Sequence, residues 1–168
     1  DLEEIQSFSA TVNIAKIINN KFLKLKAQEQ NYLQYLAIMG YGFNIDRCFE
    51  MMQSFGFKND LMDRVVDTGF IEIVANSYQF VHDQIQQYIL HSLDKKSEQK
   101  IHRHIGIYLE KAYKAKEHFD IITISNHLQN AYDVEKLPKR LFKLNVLALD
   151  SLILNNAHKL ALDKLLWI

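Results

Sequence analysis

The sequence predicts a mainly α-helical chain interrupted by one β-hairpin. Three observations carry this. Apolar residues recur at three- and four-residue spacing over most of the 168 residues. A single stretch, FIEIVANSYQFV (Phe70–Val81), switches to β-rich composition around a polar turn. Glycines fall between the periodic segments, at Gly40, Gly42, Gly56 and Gly69.

After a short opening, DLEEIQSF, Thr11 is placed to cap a helix on which Ala15, Ile18, Phe22 and Leu25 share a face. A second helix starts near Gln28, turns Leu33, Leu36 and Ala37 inward, and stops at Gly40, where a left-handed residue is wanted. Phe43 and Ile45 read as a short extended piece. Asp46 then begins a third helix with Cys48, Phe49 and Met52, which Gly56 breaks. A fourth runs from Asn59 or Asp60 to Gly69 on Leu61, Met62, Val65 and Val66.

The hairpin turns at Asn76 and Ser77, and Tyr78 and Phe80 share the face of its second strand. The period changes at YQFVHDQIQQYIL. From Asp83 the apolar residues Ile85, Tyr88, Ile89 and Leu93 follow helical spacing. Asp83 with Gln86 three residues on fits a capping box, and His82 is the hairpin exit. Helices closing on a terminal hairpin are the plan of a winged-helix domain, expected at residues 11–82, with 1–10 as a linker.

Residues 83–168 read as a helical arm. One stripe is Ile101, Ile105, Tyr108, Leu109 and Ala112, and another is Ile121, Ile124, Leu128 and Ala131. Pro138 fits the first turn of a helix with Leu141, Leu144, Ala148 and Leu152 inward. A last helix carries Ala157, Leu160, Ala161 and Leu165. Amphipathic helices joined by short connections predict antiparallel pairs and the start of a solenoid. The chain opens at Asp1 without methionine and stops at Trp167 and Ile168 inside an apolar pattern, so it reads as an excised fragment.

Composition narrows the function classes. Twenty Lys and Arg balance twenty Asp and Glu, for a net charge of +0, without the broad basic field of a dedicated nucleic-acid binder. The one cysteine, Cys48, has no intrachain partner, which fits a reducing cytoplasmic setting. No apolar run approaches the ~20 residues that span a bilayer. Catalytic sets are not apparent. His82 and Asp83 invite comparison with metal-dependent phosphohydrolases, but exit and cap account for them. His102 and His104 diverge by about 200° on a helix, so they do not chelate one metal together. His104 lies beside the Ile101 and Ile105 stripe and reads as the packing residue, with His102 solvated. His127 reads as a helix-packing histidine, and Cys48 as a buried thiol. For DNA, Lys58 and Arg64 face Asp60, Asp63 and Asp67 on the fourth helix, and the hairpin carries Glu72 without Lys or Arg, which disfavours phosphate contact.

The blocks IINNKFLKLKAQEQNYLQYLAIMGYGFNID, DTGFIEI, YQFVHDQIQQYIL, KIHRHIGIYLE and ISNHLQNAYD, in this order, resemble the region behind the nucleotide-binding domain of predicted STAND-class signalling ATPases. In these proteins the region lies between kinase or cyclase modules. The resemblance implies a winged helix followed by tetratricopeptide-like repeats, forming a non-catalytic regulatory arm. Its implied partners are the preceding ATPase domain and further repeats, with ATP and Mg held by the parent and no cofactor here. No GxxxxGK[ST] loop occurs in this chain, so ATP is assigned to none of its residues. Tyr88 and Ile89 depart from the small residues usual after HDQIQQ. The competing readings are a winged-helix DNA-binding module and a helical metal-dependent phosphohydrolase.

Overall fold

The computed structural model describes residues 15–40, 44–115, 120–133 and 138–165. The expected cap at Thr11, the linker 1–10 and the terminal Trp167 lie outside them. The chain divides into two compact units, residues 1–94 and 95–168. The boundary falls later than the expected 82/83, because the helix after the hairpin packs back onto the first unit.

The first unit begins with helical residues 15–23 (α1), where Ile18 and Phe22 are buried and Ala15 is exposed. Helix α2 (Ala27–Met39) is the centre of the unit. Tyr32, Leu33, Tyr35, Leu36, Ala37, Ile38 and Met39 are all buried, so α2 is surrounded rather than faced on one side. The Glu29 carboxylate accepts from the Lys26 N–H at 2.9 Å, closing the first turn. Gly40 ends the helix at φ 74°, ψ −162°, a conformation that glycine adopts without a Cβ penalty but that is not the left-handed helical one expected.

Helix α3 (Ile45–Ser54) starts one residue before the expected Asp46. Its N-cap is Asn44, whose side chain accepts from the N–H groups of Asp46 and Arg47. Ile45 is therefore helical, Asn44 forms a bridge with Ser77, and Phe43 of the expected extended piece lies outside the described residues. Helix α4 (Leu61–Asp67) buries Leu61, Met62 and Val65, and it ends before Gly69 at φ 67°. Strands β1 (Ile71–Val74) and β2 (Ser77–Phe80) pair antiparallel, with Val74 opposite Ser77. The turn is therefore Ala75–Asn76, both at positive φ, and not Asn76–Ser77. A two-residue turn with both centres left-handed matches strand twist, and asparagine tolerates it. Tyr78 and Phe80 are buried as the period predicts, and the Tyr78 hydroxyl donates to the carbonyls of Leu36 and Gly40.

Helix α5 (Asp83–His91) packs on α2 through Ile85, Gln86 and Ile89. The second unit contains α6 (Lys95–Lys114), α7 (Ile121–Asn130), α8 (Lys139–Leu154) and α9 (His158–Leu165). Each packs on the next, and the order of contacts (Gln99 with Asp133, His102 with His127) makes α6 and α7 antiparallel. The predicted inward stripes of α6, α7 and α8 are buried except Tyr108, which is half-buried. Pro138 is the N-cap of α8 rather than its first residue. On α9, Ala161 is buried as expected and Ala157 half-buried, but Leu160 of the expected stripe is exposed and Lys164 faces inward in its place. Among the described residues no helix is long and apolar enough to cross a membrane.

Candidate functional site

Two places bring sequence-selected residues together, one in each unit. In the first, the hairpin exit opens onto a groove of about 790 Å³. Ile17, Ile18 and Lys21 of α1 line it together with Gly69 and Phe70 before β1, and Val81 to Ile85 at the start of α5. The lining is mostly apolar, and Ile17 is 65% exposed although it lies beside buried Ile18. The Lys21 ammonium lies 5.1 Å from the centre of the Phe70 ring, a cation–π distance that holds its charge at the rim.

His82 and Asp83 both line this groove. His82 is the N-cap of α5, and its side chain makes no capping hydrogen bond. Asp83 is the first helical residue instead of the cap, and its negative charge lies at the positive end of the helix. The capping box does not form. Gln86 turns inward, where its Nε2 donates 2.9 Å to the buried carbonyl of Ala37 on α2. That carbonyl belongs to the last turn of α2, where carbonyls run short of helical donors, so Gln86 serves a tertiary acceptor instead of the local cap.

The second place is between α6 and α7. The Nδ1 atoms of His102 and His127 lie 3.0 Å apart, with ring centres at 5.1 Å. One neutral ring donates and the other accepts. Burial pushes both rings down to about 4 from the usual 6.5, with the neighbouring His102 charge adding to the effect on His127. Glu98 is 4.0 Å from His102 Nε2, on the far side of that ring. The expected contrast does not hold: His102 and His104 are both half-buried, His102 is the one packed against His127, and His104 is lowered by burial and by the charges of Lys100 and Arg103. Periodicity placed His104 next to the stripe, and His102 is the residue that meets His127 of α7.

Cys48 is fully buried and its thiol is pushed up to about 12 by desolvation, so it is neither thiolate nor nucleophile at neutral pH. On α4, Arg64 is engaged by Glu29, donating from Nε at 3.1 Å and also from Nη2, and by Asp60 at 3.4 Å. One of the two cations that the DNA reading would use is therefore tied to α2. Among the described residues no group of three or more His, Cys, Asp and Glu side chains converges to hold a metal ion. Sequence reasoning missed Lys164 and Gln129, both buried polar residues of the second unit. Comparison with family models, with curated proteins and with solved structures gives no match to this chain.

Proposed function

We propose that the chain is a non-catalytic regulatory arm that docks a protein domain through the groove at the hairpin exit, as in the signalling ATPases its sequence resembles. The observation that carries this reading is the groove itself, a wide apolar surface on packed elements with exposed Ile17 and Val81 and a Lys21–Asp83 charged rim. In this reading the first unit is winged-helix-like. The order α2, extended bridge at Asn44, α3, α4 and hairpin supports it, with α1 and α5 as flanking additions. The second unit is the start of a tetratricopeptide-like array. Contacts that skip a helix support this: Arg140 of α8 reaches Glu110 of α6, and Lys164 of α9 reaches α7.

The partner for the groove is the nucleotide-binding domain expected upstream, and packed interfaces of this kind switch between discrete arrangements. The test expresses that upstream domain separately and measures its binding to this chain with ATP, with ADP and without nucleotide. Nucleotide-dependent binding that Val81→Asp weakens at least ~10-fold is expected. Binding in no state, or ATP hydrolysis by this chain alone above a heat-killed control, overturns the reading.

A further inference from the structure

The second unit buries a lysine that pairs with no acid among the described residues. Lys164 of α9 is 5% exposed, and it donates to Asn126 Oδ1 at 3.0 Å and to Gln129 Oε1, both on α7. Two amide oxygens solvate the ammonium, and among the described residues no acid shares it. Burial lowers the group to about 8 from 10.5, and no neighbouring charge among the described residues draws it back. An ammonium has three protons, so one remains to be placed.

A second donor is in the same position. Gln129 is 6% exposed, and among the described residues its Nε2 has no hydrogen-bond acceptor. Turning the amide over does not help, because the NH₂ group would then face the Lys164 ammonium. An orphan buried amide and an unpaired buried cation on adjoining side chains each cost free energy, and both are relieved by a single anionic acceptor.

A cavity of about 190 Å³ lies against these two side chains. It is lined by Gln129, Lys164 and Asn126 together with Ile122, Leu152, Leu160 and the exposed Asp163. A single water takes about 30 Å³, so the cavity exceeds what one solvent molecule fills. Three of its seven lining residues, Ile122, Leu152 and Leu160, are aliphatic. The polar end calls for a carboxylate, and the apolar end calls for a short hydrocarbon chain.

We propose that Lys164 and Gln129 form a binding site for a short-chain aliphatic carboxylate, with the carboxylate between Lys164 Nζ and Gln129 Nε2 and the hydrocarbon against Ile122, Leu152 and Leu160. The site stands on the geometry of the second unit alone and does not depend on the regulatory reading. It gives the helical arm a small-molecule ligand.

The test is a thermal-unfolding titration of the whole chain at pH 7 with sodium butyrate, using butyramide as the uncharged isostere and sodium chloride at matched ionic strength. Butyrate is expected to bind with Kd on the order of 1 mM, and at 20 mM to raise the midpoint by roughly 4–7 °C in a saturable way. Butyramide and chloride are expected to do neither. Lys164→Met keeps the stem and removes the charge, and it should abolish the saturable shift. No saturable shift in the natural chain, an equal shift with butyramide, or a butyrate shift retained in Lys164→Met overturns the proposal. If Lys164→Met does not fold, the comparison of butyrate with butyramide on the natural chain still decides.

Discussion

The His102–His127 pair makes the stability of the second unit depend on pH in a calculable way. Each ring is lowered to about 4 in the folded chain, against 6.5 when unfolded. The unfolded state therefore binds more protons than the folded state between these values, and stability rises with pH in that window. The contribution is fully present above about 6.5 and is lost progressively as pH falls toward 4. Going from pH 7 to pH 5, the linkage integral gives about 2 kcal/mol per ring, hence about 4 kcal/mol for the pair. Burial supplies the main physical cause, and the 3.0 Å contact between the rings adds to it. The accepting nitrogen cannot take a proton without breaking the bond, and charging both rings would set two cations face to face in a dry interface. The assay is urea unfolding at pH 7 and pH 5 for the natural chain and for His102→Leu/His127→Leu. The natural chain should lose about 4 kcal/mol more than the double variant across this interval. Equal losses in the two proteins would refute the assignment, because the remaining histidines, His104 included, are common to both.

Three further outcomes follow from packing. Gln86→Ala should destabilise the first unit by about 1–3 kcal/mol, measured by chemical denaturation, because the buried Ala37 carbonyl loses its donor. Gly106→Ala should be destabilising by about 1–2 kcal/mol in thermal unfolding, despite the better helix propensity of alanine. Its Cβ would lie 2.7 Å from Leu128 Cδ2 and 3.3 Å from the Leu128 backbone nitrogen, on a fully packed face. Cys48 should resist iodoacetamide in the folded chain at pH 8 and react fully in denaturant, which mass spectrometry reads directly, since its thiol is buried and raised to about 12.

Periodicity alone determined most of the helices and their inward stripes. Leu33, Leu36 and Ala37 on α2, Ile101, Ile105 and Leu109 on α6, and Leu141, Leu144, Ala148 and Leu152 on α8 are buried where spacing placed them. A helix or strand with one apolar side must turn that side inward, and this is a local property of the chain. Local signals also named the breaks at Gly40, Gly56 and Gly69, all at positive φ. What the sequence left open was which polar group meets which. Gln86 looked like half of a capping box, yet its donor goes to Ala37, 49 residues away. His102 looked solvated until α7 set His127 against it, 25 residues away. The inner face of α9 went to Lys164 over Leu160 because α7 offers Asn126 and Gln129 there, 38 and 35 residues distant. Burial by period depends only on neighbours three and four residues along the chain, whereas the pairing of buried polar groups depends on how whole helices are set against each other, and only the tertiary structure decides that.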